Sequence, residues 1–393
     1  MSTPSHAALR ALGSAEPPWV WPRAAYVHIP FCAHKCGYCD FASLAGADDM
    51  AGRYLGALER EMALLEVPQQ VDTIYVGGGT PTRLSAAQLN CLLALIGRWY
   101  KLAPGGEWTV EANPGTLDAE KADVLAEGGV NRVSLGAQSF QPELLRVLER
   151  NHGPDEVTRA LELIRPRFSH WSFDLIFGVP GSTPELWAAD LEAALDLEPS
   201  HLSCYGLVYE KGTPLWRQRQ AGLVSPVAEE PEREMYAHTI GSLESAGLAM
   251  YEISNFAQAG HESRHNMVYW SNDAYFGVGL GATRYVRGLR ATNTRDLSTY
   301  LRCLEAGRPV IGPSETLNSE ARARETAVLM LRRTVLGIDR ADFVSRTGYE
   351  LDALAGATLE RHVAQHLLAD DGQRVRFTLE GLFLADCVLC DLL

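Results

Sequence analysis

The sequence is poor in positive charge and has no long apolar run. Its 393 residues include 35 Lys and Arg against 49 Asp and Glu, a formal net charge of −14 at pH 7. A nucleic-acid-binding protein usually presents a basic surface, so this balance argues against a nucleic-acid partner. No apolar segment reaches the roughly 20 residues of a transmembrane helix. The shortage of basic residues also opposes strong attachment to anionic membranes, while transient contact with a membrane protein stays compatible with it.

The sequence also lacks the dense cysteines of a small secreted protein. Eight cysteines are present; three fall between positions 32 and 39 and the others are scattered. Hydrophobic residues make up 46% of the chain and charged residues 21%, a composition typical of a globular protein. We therefore expect a cytoplasmic protein with free thiols. Residues 1–24 contain no continuous apolar stretch and are predicted to be a flexible leader, not a secretory signal.

Short apolar strands alternate with amphipathic helices over the first two-thirds of the chain. This alternation predicts an α/β fold with parallel strands, either a partial (β/α)6 barrel over residues 25–215 or an open sheet. In both forms ligands bind at the carboxyl ends of the strands. The predicted strands are Ala25–Ile29, Thr73–Val76, Trp108–Glu111, Arg132–Leu135, Trp171–Phe177 and His201–Leu207.

Two further regions are predicted after the barrel. Residues 216–317 form an accessory segment of looser pattern, in which Asn272–Gly288 is predicted to be loop. Residues 318–393 are predicted to form a small α+β domain of winged-helix type, because three helices are followed by a hairpin. The predicted elements of that domain are helices over Ser319–Arg333, Arg340–Thr347 and Leu354–Leu368 and strands over Gln373–Thr378 and Gly381–Leu384.

Cys32, Cys36 and Cys39 form a C-x₃-C-x₂-C motif directly after the first predicted strand. Iron–sulfur clusters take thiolate ligands, so three thiolates on one tight loop can bind three irons of a cubane. The fourth iron has no local cysteine and is open to an exogenous ligand. The alternatives are a structural zinc site or unconnected buried cysteines, but zinc motifs usually pair with a second ligand cluster and the sequence shows none. The motif therefore predicts a [4Fe–4S] cluster.

The stretch from Tyr26 to Phe41, which contains this motif, resembles the radical S-adenosylmethionine superfamily. Within it, the chain is similar from about Tyr26 onward to the branch of anaerobic coproporphyrinogen dehydrogenase and its haem-chaperone relatives. The resemblance implies a partial barrel of the radical S-adenosylmethionine type. It also implies that the cofactor's amino and carboxylate groups chelate the open iron, and that cluster reduction splits the cofactor into methionine and a 5′-deoxyadenosyl radical.

The resemblance further implies a set of cofactor-binding residues, most of which follow predicted strands. Glycines let a backbone approach a ligand closely, and an Asp inside an apolar strand needs a partner. Taken one at a time, these residues could equally be a plain turn, a solvated carboxylate or an exposed helix-end charge; their joint order favours a site. The implied S-adenosylmethionine contacts are Tyr26, Tyr38, Gly78, Gly79, Thr80, Glu111, Gln138, Arg150 and Asp174.

Two features separate the dehydrogenase branch from the haem-chaperone branch. The dehydrogenases carry a further cysteine two residues past the last cluster ligand, where this chain has Phe41, and a longer N-terminal extension. The H-N-x-x-Y-W segment at 265–270 resembles a motif associated with haem in the chaperone branch. Imidazole is a good haem-iron ligand, and aromatic rings suit a porphyrin face. The resemblance thus implies that haem contacts His265, Asn266, Tyr269 and Trp270.

The axial haem ligand stays open at this point. A lone histidine beside aromatic residues is often a packed, hydrogen-bonded residue, and this alternative applies to His265. The Ala282–Arg284 segment also departs from an Ala-His-Ser-like sequence of the family. Cys387 and Cys390 are interpreted as packing residues. The rival axial ligands are His201, His261, Cys204 and Cys303.

The resulting hypothesis is a haem chaperone with a [4Fe–4S] cluster and S-adenosylmethionine, whose partners are haem and acceptor haem proteins such as respiratory enzymes. A second hypothesis is a radical enzyme that decarboxylates or degrades a tetrapyrrole. A third is a cluster protein that senses iron or redox state.

Overall fold

The computed structural model describes residues 16–393. Its strands are β1 Ala24–Ile29, β2 Phe31–Cys32, β3 Leu44–Ala45, β4 Gln69–Gly78, β5 Tyr100–Ala112, β6 Arg132–Gln138, β7 His170–Phe177, β8 His201–Gly206, β9 Ala249–Glu252, β10 Asn255–Ala257, β11 Phe276–Val278, β12 Thr283–Val286, β13 Leu289–Asn293, β14 Ile311–Thr316, β15 Ile338–Asp339, β16 Leu368–Asp370 and β17 Arg374–Phe377. Its helices are α1 Ala51–Ala63, α2 Ala86–Trp99, α3 Ala119–Glu127, α4 Pro142–Val147, α5 Pro154–Ile164, α6 Pro184–Leu195, α7 Pro214–Gln220, α8 Glu229–Ser245, α9 Arg264–Trp270, α10 Leu297–Glu305, α11 Ser319–Leu331, α12 Arg340–Thr347, α13 Leu351–Ala364, α14 Leu379–Phe383 and α15 Ala385–Leu392.

Six parallel strands form the centre of the molecule. β1, β4, β5, β6, β7 and β8 lie next to one another in chain order, and every neighbouring pair is parallel. Helices α1 to α6 occupy the connections between them. Side chains from β4 to β8 line one cavity, so the sheet is curved into an open barrel. The predicted partial (β/α)6 barrel is confirmed.

Three short strands extend this sheet to nine. β11 pairs in parallel with β1 at one edge, and β10 pairs antiparallel with β8 and β9 at the other. The prediction of loop over Asn272–Gly288 was wrong, because it contains β11 and β12. β11 is three residues long with a glycine at its centre, and a Cβ at Gly277 would overlap the backbone oxygen of Thr283. Such a strand is fixed by its tertiary partners and carries little local signal.

The chain before β1 also packs on the barrel where the structure describes it. Trp21 is buried and meets the edge of the Phe276 ring, with centroids 6.1 Å apart. The backbone N–H of Ala274 donates to the oxygen of Pro18 at 2.8 Å. Residues 1–15 of the predicted leader lie outside the described residues.

Residues on the parallel strands alternate between two environments. The apolar set, exemplified by Val133, Leu135 and Phe173, is buried in one core cluster with helix residues such as Leu161 and Trp187. The residues between them face the barrel lumen. This period-two pattern is the ordinary alternation of a strand, and it places every lumen side chain on a rigid element.

The C-terminal domain has its own apolar core. Helices α11, α12 and α13 pack with a three-stranded antiparallel sheet in the order β15–β17–β16, an arrangement of winged-helix type. The predicted strand Gly381–Leu384 was wrong: its first three residues belong to α14 and Leu384 is the C-cap of that helix, which Thr378 caps at its start by accepting from the N–H of Gly381 at 3.0 Å. The hairpin instead joins β16 to β17, and Gly372 adopts a positive φ of 83° in its turn. No helix within residues 16–393 combines the length and apolar character needed to cross a bilayer.

Candidate functional site

A cavity of about 650 Å³ opens at the carboxyl ends of the barrel strands. The cysteine loop after β1, the glycine-rich turn after β4 and side chains of β5 to β8 all line it. This is the edge of a parallel sheet at which ligands are expected. Of the nine residues that the sequence implies around S-adenosylmethionine, eight line this cavity; Tyr26 does not.

The three predicted cluster ligands lie together on one side of the cavity. Cys32 ends β2, and the loop tightens after it through a bond from the Cys39 N–H to the Cys36 oxygen at 3.2 Å. All three are free thiols. Burial raises the pKa of the Cys32 and Cys39 thiols. The raised pKa favours the protonated thiols when no metal is bound. Bound metal would reverse this, because a coordinating thiol is deprotonated outright.

Two hydrogen-bond donors already face these sulfurs. Thr80 Oγ1 lies 3.7 Å from Cys32 Sγ, and Arg150 Nη1 lies 3.4 Å from Cys36 Sγ. A hydroxyl and a guanidinium in these places favour thiolates over thiols. No group of three His, Cys, Asp or Glu side chains within the described part of the chain converges on a single-ion site. The donor set of three cysteines on one loop fits a cubane, which takes each thiolate on a separate iron.

The glycine-rich turn after β4 is built for close approach of backbone. Gly78 has a φ of +111°, and its N–H donates to Glu111 Oε2 at 2.9 Å. A Cβ at Gly78 would collide with the His28 ring, and one at Gly79 with the backbone of Pro30. Only glycine allows these contacts, so the sequence Gly77-Gly78-Gly79 is required to seat the turn against β1.

Glu111 joins the turn to the lumen. Its Oε1 accepts from Tyr75 Oη at 2.7 Å, opposite the bond from Gly78. Burial, with a contribution from the charge of Asp174, raises the pKa of Glu111 to about 7. The carboxyl group is therefore poised between its neutral and ionised forms, and a nearby cationic ammonium would favour the ionised form.

Arg150 and Gln138 complete the wall beside the cysteines. Arg150 Nη2 donates to the Gly136 oxygen at 2.8 Å, which holds the guanidinium over the cavity, and its Nε is buried without a partner among the described residues. Gln138 has a φ of +69°, a left-handed conformation that is rare for a residue with a side chain. A buried unpaired N–H and a strained backbone conformation at the same wall fit a site that receives a polar ligand.

Asp174 lies deeper, and the two tyrosines differ in position. Both carboxylate oxygens of Asp174 accept from Ser134 Oγ, at 3.1 and 3.2 Å, and burial raises its pKa. Tyr38 lines the cavity, and burial raises its pKa. Tyr26 instead bonds His28 Nδ1 through its hydroxyl at 3.0 Å, and it stacks on Tyr75. This internal bond explains why Tyr26 lies away from the cavity.

The histidine of the H-N-x-x-Y-W segment lies inside the protein. His265 is 1% exposed on α9, its Nδ1 is 2.8 Å from Thr73 Oγ1 and its Nε2 is 2.9 Å from Tyr269 Oη. Burial lowers its pKa to about 3. Both ring nitrogens are engaged, so in this conformation His265 has the packed, hydrogen-bonded environment of the alternative interpretation and not that of an open axial ligand.

The other residues of this segment divide between the lumen and the domain interface. Asn266 lines the cavity from the end opposite the cysteine loop. Trp270 lies under the guanidinium of Arg332 from the C-terminal domain, 4.6 Å from the ring centroid. The helix α9 therefore connects the barrel lumen to the C-terminal domain.

The rival axial ligands have varied environments. His201 is 2% exposed, lines the cavity and bonds Tyr251 Oη through Nε2 at 2.8 Å. His261 pairs with His170, with Nδ1 atoms 3.0 Å apart. Cys204 is buried in the main core, and Cys303 is partly buried against it. Among these four, only His201 reaches the cavity.

Sequence reasoning missed a second set of lumen residues. Polar side chains recur at every second position of β5 to β8, between apolar ones. Buried parallel strands usually read as continuous apolar runs, so this alternation was the signal that could have identified them. The missed cavity-lining residues are Thr109, Arg132, Ser134, Ser172, Ser203 and Tyr205.

The comparisons with known proteins agree with this geometry. Residues 26–194 match the model of the Radical SAM superfamily, and residues 317–384 match that of the HemN C-terminal domain. The structure superimposes on that of coproporphyrinogen III oxidase (HemN) from Escherichia coli with a TM-score of 0.83 at 22% identity, over 96% of this chain and 91% of that one. Fold and site together define a radical S-adenosylmethionine protein.

The sequence relatives narrow this class. The chain is 38% identical over 370 residues to a protein of Bacillus subtilis named heme chaperone HemW, covering 93% of this chain and 97% of that relative. It is 34% identical to the protein of that name in Escherichia coli, covering 92% and 96%. A Mycobacterium tuberculosis relative of the same name is 35% identical, with 95% of each covered. The chain belongs to the HemW family.

Proposed function

We propose that the protein is a cytoplasmic haem chaperone, which binds haem and transfers it to acceptor haem proteins such as respiratory enzymes. The observation that carries this proposal is the near-full-length similarity to relatives named heme chaperone HemW, which includes both the barrel and the C-terminal domain. Phe41 also supports the chaperone proposal, because the dehydrogenase branch carries a further cysteine at this position and this chain does not. The Phe41 side chain lines the cavity and is 62% exposed.

In this proposal Cys32, Cys36 and Cys39 hold a [4Fe–4S] cluster. Thr80 and Arg150 direct their donors toward two of the sulfurs and stabilise negative charge there. Replacement of any one cysteine by Ala is expected to remove most of the iron and the visible absorption of the reconstituted protein. Replacement of Cys91, an exposed thiol on α2, is the matched control and should leave both unchanged.

S-adenosylmethionine is proposed to bind between the cluster loop and the lumen, where it would supply one-electron cleavage chemistry. Glu111 and the backbone of Gly78 and Gly79 would hold its amino group, and Arg150 its carboxylate. A charge-assisted hydrogen bond contributes about 1.5–3 kcal/mol, so Arg150→Met should weaken cofactor binding roughly 10- to 100-fold by calorimetry. Arg146→Met, at an exposed arginine of helix α4 four residues before Arg150, is the control.

Haem is proposed to contact the region of α9. Asn266 reaches the lumen, while His265 and Tyr269 bond one another behind it. Axial ligation by His265 would require the loss of its bonds to Thr73 and Tyr269. The role of His265 as an axial ligand can therefore be tested by substitutions that remove its imidazole.

The test is a haem titration of the anaerobically reconstituted protein, followed at the Soret band. Wild type should saturate at a single site. Loss of an axial ligand should change the Soret position in both His265→Ala and His265→Asn, whereas loss of packing should be relieved in the Asn variant. His238→Ala, at a surface histidine whose Nε2 lies 3.3 Å from Ser242 Oγ, is the control. Absence of saturable binding in wild type would sink the chaperone proposal.

A second candidate is a radical enzyme that acts on a tetrapyrrole, and the intact cofactor wall of the cavity favours it. The same protein incubated with reductant and S-adenosylmethionine distinguishes the two. Production of 5′-deoxyadenosine that depends on an added porphyrinogen or haem, with loss of that tetrapyrrole, supports the enzyme. If the protein neither binds haem nor turns over a tetrapyrrole, the third hypothesis, a sensor of iron or redox state, remains.

A further inference from the structure

The end of the lumen farthest from the cysteine loop has a distinct composition. Arg132 begins β6 and Gln138 ends it, so at about 3.3 Å per residue the two lie roughly 20 Å apart along the strand. Both line the same cavity, as does Asn266 at the start of α9. The cavity therefore extends from the proposed cofactor site to a floor that α9 covers.

A buried positive charge lies at this floor. Arg132 is 3% exposed, and its guanidinium makes one hydrogen bond within residues 16–393, from Nη1 to the backbone oxygen of His261 at 2.9 Å. A guanidinium has five N–H groups. Buried charges are normally paired, so an arginine with this single neutral acceptor on the wall of a cavity is short of an anionic partner.

Two neutral polar side chains line the same cavity as Arg132. His201 is 2% exposed, uses Nε2 on Tyr251, and has an Nδ1 without a partner in the part of the chain that the structure describes. Ser172 is 2% exposed and lies 3.0 Å, oxygen to oxygen, from Ser134. These side chains come from three adjacent strands, β6, β7 and β8, which makes the floor a rigid concave surface with hydrogen-bonding capacity.

The carboxylates near this floor are already occupied. Glu107 accepts from the backbone N–H groups of Arg264 and His265 at the start of α9, at 3.0 and 3.1 Å. Asp174 accepts from Ser134 on the side toward the cofactor site. Neither is hydrogen-bonded to Arg132, so the floor retains capacity for an external anion.

We propose that the floor formed by Arg132, His201 and Ser172 binds a carboxylate of the ligand that enters the lumen, and that for haem this group is a propionate. A guanidinium fork and hydroxyl donors recognise a carboxylate by charge-assisted bonds. This inference rests on the proposed haem-binding function. It assigns to the propionate end a position beside Asn266, and it leaves the porphyrin body nearer the proposed cofactor site.

Two sources of a carboxylate satisfy this chemistry, a haem propionate and a small free carboxylic acid. The experiment compares haem with its dimethyl ester, which has the same ring and no carboxylate, by Soret titration of the reconstituted protein. The same titration of haem is repeated with succinate in excess. Wild type should bind the ester about 10- to 100-fold more weakly than haem. Displacement of haem by millimolar succinate, with haem and its ester bound equally well, would assign the floor to a free acid and overturn the propionate assignment.

Variants at Arg132 test the same point from the protein side. Arg132→Met should reduce the affinity for haem to that for the ester and leave ester binding unchanged, while Arg132→Lys should retain part of the difference. Arg159→Met, an exposed arginine on α5 that pairs with Glu156, is the matched control. If the Met variant does not fold, the comparison of haem with ester in wild type still decides the matter.

The outcomes separate the two proposals. Equal binding of haem and ester by wild type would overturn the propionate site and leave haem binding intact. No saturable binding of either ligand would overturn both. A preference for haem that Arg132→Met abolishes and Arg159→Met preserves would support the site.

Discussion

Glu111 is the residue at which the cavity is most sensitive to pH. Its carboxyl group borders the cavity and accepts from Tyr75 and Gly78, and burial raises its pKa from 4.5 to about 7. The folded protein therefore retains a proton on this group at pH values where the unfolded chain has lost it. Stability from this group is fully present below about pH 4.5 and is lost as pH rises toward 7.

We predict that Glu111→Gln removes this dependence in the protein without cluster or cofactor. Relative to the variant, the free energy of unfolding of wild type should fall by about 3 kcal/mol between pH 4.5 and 7, at 1.36 kcal/mol for each pKa unit. Urea denaturation at several pH values measures the difference. Parallel pH profiles for the two proteins would show that Glu111 titrates as it does in water.

At the scale of elements, α9 is a seven-residue helix held at its start by the barrel. Glu107 accepts from the N–H groups of Arg264 and His265, and Ser263 Oγ accepts from Asn266 at 3.4 Å. Short helices are marginal alone, so these bonds position Asn266 at the lumen floor. A carboxylate at a helix start is also favoured by the helix dipole.

Glu107→Gln should therefore destabilise the protein by about 1–2 kcal/mol, because the amide loses the charge and one of its two acceptors. The change should appear as a lower midpoint of chemical denaturation. Glu127→Gln, at an exposed glutamate ending α3, should change little. Equal effects of the two substitutions would contradict a capping role for Glu107.

The sequence predicted the residues whose position follows from local order along the chain, and it did not predict those positioned by distant contacts. The cysteine motif, the glycine-rich turn and Glu111 lie at the carboxyl ends of strands or directly after them, so their local order predicted their meeting at one edge of the sheet. The environment of His265 depends on Thr73, which is 192 positions away, and no local pattern reports such a contact. β11 and the lumen position of Arg132 likewise depend on which strands become neighbours.

At the scale of the whole molecule, a set of arginines joins the C-terminal domain to the segment after α9. Arg346 Nη1 lies 2.5 Å from Asp273 Oδ1, with side-chain exposures of 12% and 15%. Arg333 Nη1 donates to Ser271 Oγ at 3.1 Å, and Arg332 covers Trp270. The barrel floor and the C-terminal domain thus share one interface, so loss of that interface should also disturb α9.

Arg346→Met would leave Asp273 buried without its partner. We expect a loss of about 3 kcal/mol in the free energy of unfolding, and recovery of most of it in the double variant with Asp273→Asn. Arg361→Met removes an ion pair to Asp391 at 53% and 47% exposure and should cost less than about 1 kcal/mol. A double variant no more stable than Arg346→Met would show that the ion pair is not what is lost.

The central claim is that the chain carries haem to other proteins and does not consume it. The most direct measurement mixes the haem-loaded, cluster-reconstituted protein, with S-adenosylmethionine and reductant, with respiratory membranes from haem-starved cells. The account predicts that haem-dependent oxidase activity appears in the membranes while the total tetrapyrrole is conserved. Haem that stays on the protein, or tetrapyrrole that disappears as 5′-deoxyadenosine forms, would contradict it.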